Sequence, residues 1–328
     1  MRAIILTEPK GYSKTAIAVL NKLGRVYPWS EARKKPAILK RAGILVVKLG
    51  IKISKPLLDK LPNLKIIGTS TTGLNHIDIE EARQREIQVI SLRGEMRFLK
   101  TIFPTAEETI GLIIMLIRKL PWGFDAVRAG KWQKEKFYGH ELFGKTLGII
   151  GFGRLGSMVA GFGRALGMSV IACDPYVSAA VMRRAGVKKV SMDAVFKRAD
   201  VVSIHVLLTG KTHNLIKRRH FRLMKPTAYY INTARGEINS EKALLEALEK
   251  KWIAGAALDV LANEDPKGRH VKRHPLVRYA KRHRNLIIVP HLGGATFESM
   301  ARTEEFIAEK IAHFVQKRRS PLSRYKGM

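Results

Sequence analysis

Three side chains of the kinds that move protons and hold anions fall just past strand-like segments in the second half of the chain: Arg235, Glu264 and His291. Histidine titrates nearest neutral pH and suits proton exchange with a hydroxyl or carbonyl oxygen. The planar fork of arginine takes a carboxylate or a carbonyl oxygen through directed hydrogen bonds. A carboxylate against the second imidazole nitrogen would orient the ring and keep it protonated when it must act as an acid. Glu264 fits that role, and the adjacent Asp265 is a rival. Together these groups supply what hydride transfer at a hydroxyl-bearing carbon requires: a proton carrier, a cation for the substrate, and a group to orient the carrier. In a parallel sheet all the strand ends concerned lie on one edge, so three separate segments converge there.

The element that organises the chain is the run Leu147-Gly148-Ile149-Ile150-Gly151-Phe152-Gly153-Arg154-Leu155-Gly156, which reads as strand, tight turn and helix. Gly151, Gly153 and Gly156 fit G-x-G-x-x-G. The first allows the turn, the second lets backbone approach a pyrophosphate, and the third lets helix pack on strand. Phosphate is expected on the helix N-terminus, where free N–H groups and the helix dipole favour an anion. The next apolar run, Met168–Cys173, ends in Asp174, 18 residues beyond Gly156. An acid there accepts ribose hydroxyls and repels a 2′-phosphate, and Pro175-Tyr176 brings no arginine to hold one, so the cofactor reads as NAD.

Residues 1 to about 100 alternate short apolar runs (Ala3–Leu6, Ile44–Val47, Leu64–Ile67, Ile87–Ile90) with helical segments (Ser13–Leu23, Lys55–Lys60), the pattern of a parallel sheet covered by helices. The loop from Gly68 to Gly73, containing Thr71, Thr72 and Gly73, falls at the carboxyl edge of that sheet and is a candidate substrate loop, because clustered N–H groups can hold a carboxylate. Thr105 and Glu108 have capping-box spacing for a helix opening at Pro104. Its body, Ile110–Ile117, is apolar on all sides and should be buried all round, inside a domain or between subunits. Trp122, Trp132, Phe137, Tyr138 and Phe143 read mainly as packing. Further along, His205 sits near the end of the strand Val201–Val206 and Asp259 near the end of Gly255–Val260. Ser240 caps a helix from Glu241, residues 265–284 read as a basic surface excursion, and a last long helix runs from Phe297 to about Gln316.

At 328 residues two domains are expected. The fold class is α/β with two Rossmann-like doubly wound domains. Residues 1–100 with 297–328 form a flavodoxin-like substrate domain, and residues 101–296 an NAD-binding domain. No signal-peptide pattern and no apolar stretch of membrane-spanning length occur, and the single cysteine, Cys173, lies inside a predicted strand, so a cytoplasmic location is expected. The charge is +33, from 60 Lys+Arg against 27 Asp+Glu. Its basic clusters are scattered through the whole chain rather than gathered on one element with interleaved aromatics, which argues for a solvated surface and against a specific nucleic-acid site.

Ordered along the chain are Thr72-Gly73-Leu74-Asn75-His76-Ile77-Asp78, Thr105-Ala106-Glu107, Gly148 to Gly156, Asn232-Thr233-Ala234-Arg235-Gly236, Gly255 to Val260, and Pro290-His291-Leu292-Gly293-Gly294. With these motifs the sequence resembles the D-isomer-specific 2-hydroxyacid dehydrogenases over nearly its whole length. The resemblance implies a catalytic trio of Arg235, Glu264 and His291, Glu264 being favoured because the family acid lies five residues after the strand aspartate, here Asp259. It implies NAD contacts from the glycine turn with Arg154 and Leu155, from Asp174, His205, Thr233, Ala234 and Asp259, and from Gly293 and Gly294. A small 2-hydroxy or 2-oxo acid substrate, a cleft between the domains to hold it, and a homodimer built around Thr105–Leu120 are implied as well. The chain departs from the family pattern at Leu207, where proline is common, at Val289, where threonine is usual, and at Asp265 before Pro266. The regulatory extension of some phosphoglycerate dehydrogenases is expected to be missing. An NAD(H)-sensing binding module without turnover is the alternative.

Overall fold

The computed structural model describes residues 2–265, 268–269 and 271–319, and the chain divides into two compact units. One runs to Thr101 and resumes at Thr296, and the other is Ile102–Ala295. Among the described residues the strands form one parallel sheet in each unit, of five and seven strands.

In the first unit β1 (Arg2–Leu6), β2 (Gly24–Pro28), β3 (Ala42–Val47), β4 (Ile66–Thr69) and β5 (Gln88–Ile90) lie in the order β2-β1-β3-β4-β5. β3, Ala-Gly-Ile-Leu-Val-Val, is buried at every position, so both faces of the sheet must be covered. Alternate side chains point to opposite faces. Ile4, Leu6, Ile44, Val46 and Ile66 meet Ala16 and Leu20 of the Lys14–Asn21 helix together with Ile307, Ala308, Ile311 and Val315 of the Phe297–Arg319 helix. Ile5, Leu45, Val47 and Ile67 meet Ala32, Leu39, Leu58, Leu61 and Ala82. The last helix is therefore part of the first unit's core. The alternating pattern did not reveal β2, because its sequence Gly-Arg-Val-Tyr-Pro makes an edge strand with only its first residue buried. It ends at Pro28, which an edge tolerates.

The second unit contains β6 (Thr146–Ile150), β7 (Ser169–Cys173), β8 (Lys188–Lys189), β9 (Val201–Ile204), β10 (Tyr229–Asn232), β11 (Gly255–Leu258) and β12 (Leu286–Ile288), in the order β12-β11-β10-β9-β6-β7-β8. The chain reverses its direction of travel across the sheet after β8, so β6 and β9 flank a switch point. Register aligns the strand ends: Cys173, Ile150, Ile204, Asn232, Leu258 and Ile288 form one row across the sheet. Everything just beyond that row, including Asp174, Gly151, His205, Thr233 and Asp259, lies along a single edge.

Several expectations are corrected. No Thr105–Glu108 capping box forms: the helix Pro104–Ile117 starts after Phe103 with no side-chain cap, and both candidate residues turn elsewhere. Within its own unit that helix buries one broad face, Ala106, Thr109, Leu112, Ile113, Leu116 and Ile117, rather than all sides, and the expectation of burial between subunits concerns the partly accessible Ile110, Ile114 and Met115. Of the aromatics expected to pack, Trp132, Tyr138 and Phe143 are instead 87%, 63% and 78% exposed. The stretch expected as a surface excursion, 265–284, includes the helix Pro275–Ala280, whose Leu276 and Tyr279 enter the core. Among the described residues no helix is long and apolar enough to cross a membrane.

Ile311 is fully buried where the last helix meets the sheet. Ile311→Ala should lower unfolding stability by about 2–4 kcal/mol, the usual cost of such a cavity. Urea titration checks this, and an unchanged midpoint would show that the helix does not belong to that core.

Candidate active site

The glycine turn is built as its spacing requires. Gly151 has φ +93°, a conformation open to glycine, and it lies against the His205 carbonyl, 2.7 Å from where a Cβ would stand. A Cβ on Gly156 would lie 2.0 Å from the Gly151 oxygen, so only glycine lets the helix Arg154–Ala165 start so close to β6. Gly153 is the N-cap with no side-chain capping bond and nothing within 4 Å of its missing Cβ. The turn thus offers open space above first-turn N–H groups at Arg154 and Leu155, which fits the pyrophosphate of a dinucleotide.

Asp174, one residue past β7, accepts from Phe152 N–H at 2.9 Å and from Tyr176 N–H at 2.8 Å, which ties the ribose-side acid to the turn. The Arg154 guanidinium donates to the Ile102 carbonyl at 3.0 Å. The His205 ring folds back onto Ser203 at 2.8 Å, and burial pushes its pKa down to about 3, so it is neutral. What His205 presents to the glycine turn is its backbone.

Arg235, Glu264 and His291 follow β10, β11 and β12. His291 Nδ1 lies 2.6 Å from Glu264 Oε2, and Glu264 Oε1 accepts from Leu261 N–H at 2.8 Å. The rival Asp265 pairs instead with Arg269 at 2.6 Å, an exposed contact of the sort that contributes little. Burial works against ionisation of Glu264. The hydrogen bond and charge of His291, the Leu261 N–H and the charge of Arg235 outweigh it and hold the carboxyl below its usual range. Burial lowers the Arg235 pKa, opposed by Glu264, Glu237 and Asp259, a surrounding of anions that suits a guanidinium.

The residues that hold this arrangement left little signal in the sequence. A Cβ on Gly236 would lie 2.0 Å from the Leu261 carbonyl carbon, so the Arg-Gly pair is what lets the loop after β11 lie on the loop after β10. Glu241 accepts from Ala262 N–H at 2.8 Å and Glu237 from Asn263 N–H at 3.0 Å, fixing Asn263 at φ +54° directly before Glu264. Asn232 donates to the Arg235 carbonyl at 2.9 Å and to Asn239, which also receives the Tyr230 hydroxyl. The Asn232 side-chain oxygen accepts from Ala234 N–H at 2.9 Å.

His291 itself has φ +54°, uncommon for a residue with a side chain. Asp259 holds it there. The Asp259 carbonyl accepts His291 N–H at 2.9 Å, and its carboxylate accepts Leu292 N–H and, at 3.0 Å, Gly293 N–H. Thr105 donates to the Gly293 carbonyl at 2.8 Å, the contact that replaces the expected cap. Thr109 donates to the Thr105 carbonyl, so the 2.9 Å contact between hydroxyls has Thr233 as donor to Thr109. Gly294 is exposed with open space beside it. Thr71, Thr72 and Gly73 lie in the other unit, after β4, where the Thr71 hydroxyl donates to the Gly73 carbonyl at 2.8 Å and gives the loop a defined shape.

Residues 110–293 match the family model described as D-isomer specific 2-hydroxyacid dehydrogenase, NAD binding domain. The chain is 36% identical to the D-3-phosphoglycerate dehydrogenase of Methanocaldococcus jannaschii over 95% of its own length and 57% of that protein's. It is 31% identical to the glyoxylate reductase of Thermococcus litoralis over 92% and 91% of the two chains. The chain spans about half the length of the phosphoglycerate dehydrogenases it matches. Among solved structures it resembles a D-lactate dehydrogenase from Aquifex aeolicus complexed with NAD and lactic acid, with TM-score 0.83 and 29% identity, over 99% of this chain and 98% of that one. On these matches the chain belongs to the D-isomer specific 2-hydroxyacid dehydrogenase family, and residues 110–293 are its NAD-binding domain.

Proposed function

We propose that the protein is an NAD-dependent oxidoreductase that interconverts a D-2-hydroxy acid and its 2-oxo acid. The observation that carries the reading is the 2.6 Å contact between His291 Nδ1 and Glu264, on the sheet edge that also bears Arg235 and the glycine turn. With Glu264 ionised, the Nδ1 proton points to it and Nε2 is the atom that exchanges a proton with the substrate oxygen. Arg235 fixes the substrate carboxylate and polarises the 2-oxo oxygen. NAD supplies the hydride acceptor or donor when bound, and the protein's contribution is positioning.

The dinucleotide is assigned to Gly151, Gly153, Arg154, Leu155 and Gly156 at the pyrophosphate and to Asp174 at the ribose. His205, Thr233, Ala234, Asp259, Gly293 and Gly294 line the rest of the edge. The loop Thr71-Thr72-Gly73 is assigned to the substrate, in the unit proposed as the substrate domain. The named activities of the relatives, on phosphoglycerate, glyoxylate and lactate, support a small 2-hydroxy acid as substrate class. An NAD(H)-sensing module would have no need of a glutamate-oriented histidine, and no observation favours it. A cytoplasmic location accords with the single unpaired cysteine.

A homodimer is also proposed. The expected seam is Thr105–Leu120, and the helix that continues from it, Leu120–Arg128, adds Leu120, Phe124 and Val127, which are 49%, 64% and 54% exposed at helical spacing and so share one apolar face.

Oxidation of NADH by a panel of 2-oxo acids, run beside NADPH, tests the reaction: turnover with NADH is expected, and silence across the panel would contradict it. His291→Ala should reduce turnover by about 10²-fold while leaving NADH binding intact, and unchanged turnover would remove His291 from the mechanism. Phe124→Glu should convert the dimer to a monomer in light scattering; an unaffected dimer would move the interface elsewhere.

A further inference from the structure

Glu108 stands one turn into the Pro104–Ile117 helix, on the side that faces the Gly293 turn. Its Oε2 and Asp259 Oδ2 each lie 3.0 Å from the point where a Cβ on Gly293 would stand. Both Glu108 oxygens are buried, and among the described residues no N–H or O–H donor reaches either of them. Asp259 is 1% exposed and already accepts two backbone N–H groups of the turn after His291. Two carboxyl groups facing each other in the interior are both acceptors, so only a proton held by one of them makes their contact favourable.

We propose that Glu108 is a positioning residue: it carries a proton shared with Asp259, and through Asp259 it fixes the Leu292–Gly293 turn that holds His291 in place. The inference rests on the proposed reaction only for its effect on turnover. Burial, the largest effect, raises the Asp259 pKa as well, but the Leu292 N–H, the charge of His291 and the Gly293 N–H oppose it, whereas no donor supports an ionised Glu108, so Asp259 is the natural acceptor. Burial, then the Asp259 charge, pushes the Glu108 pKa up to about 8. The other charged groups around the pair are His291 after β12 and Arg235 after β10. The Arg154–Ala165 helix, also packed on this helix, brings Arg154, whose guanidinium bonds the Ile102 carbonyl. A Cβ at position 293 would stand 3.0 Å from a carboxyl oxygen of each acid, so a side chain there would press on both.

The pH dependence follows in sign. A group whose folded pKa is raised contributes stability that is complete below its unfolded value and is lost as pH rises through the folded value. For Glu108 the window runs from the ordinary glutamate range up to about 8. Above it two buried anions face each other and the Gly293 turn loosens.

The test uses the full chain with NADH as probe, comparing wild type, Glu108→Gln and Glu108→Leu. Glutamine keeps the shape and donates to Asp259 without titrating, and leucine keeps the volume without a donor. Wild type should bind NADH about tenfold more weakly at pH 9 than at pH 7, with a midpoint near pH 8, whereas Glu108→Gln should be flat. Glu108→Leu should bind weakly and without the step. Without cofactor, the wild-type melting temperature should fall more steeply between pH 5 and 8 than that of Glu108→Gln. A Glu108→Gln variant that keeps the wild-type step, or a Glu108→Leu variant that binds NADH as wild type does at pH 7, would overturn the proposal. These readouts need no 2-oxo acid: the pH step without turnover would sink the catalytic reading alone, and turnover without the step would sink this one alone.

Discussion

The short contact between the His291 imidazole and the Glu264 carboxylate depends on two loops being held in backbone conformations that side-chain-bearing residues rarely adopt. Asn263 and His291, both at φ +54°, flank or form the pair. Each costs on the order of 1–3 kcal/mol in isolation, and each is fixed by carboxylates that accept backbone N–H groups. Glu237 and Glu241 hold the loop before Glu264, and Asp259 holds the turn at His291. Hydrogen bonds from N–H to an ionised acceptor are the stronger kind, about 1.5–3 kcal/mol each, so such clamps are of the size needed to offset the strain.

The sheet brings the clamps together. Because the last residues of β7, β6, β9, β10, β11 and β12 share one register row, residues far apart in sequence emerge side by side. Close approach then depends on missing side chains. Gly156 lets a helix begin against β6, and Gly236 lets one loop lie on the next. The positions that first look permissive are the ones with least room.

Strand ends, glycine turn and the trio were legible in the sequence because each follows from local spacing: an apolar run, a break, and a polar residue at the break. Between Glu264 and Asp265 the residues alone did not decide, since neighbouring acids differ only in where the backbone turns them, and it was the family spacing from Asp259 that favoured Glu264. Glu108 was misread because threonine and glutamate three apart fit a capping box equally well. The tertiary contacts of Thr105 with Gly293 and of Glu108 beside Asp259 override that local option. β2 escaped because an edge strand carries no apolar alternation, and the exposed aromatics from Trp132 to Phe143 because composition does not say which side of a surface a ring occupies. Asn232 and Asn239, which brace the Arg235 turn, are buried polar residues whose partners only the fold reveals.

The most direct test of the central claim is a double-mutant cycle on kcat/KM for NADH-dependent reduction of a 2-oxo acid, using His291→Ala, Glu264→Gln and the pair together. If Glu264 acts by orienting His291, its removal matters only while the histidine is present, and the double variant should be no slower than His291→Ala alone. Losses that multiply would mean that the two residues act independently and would contradict the account.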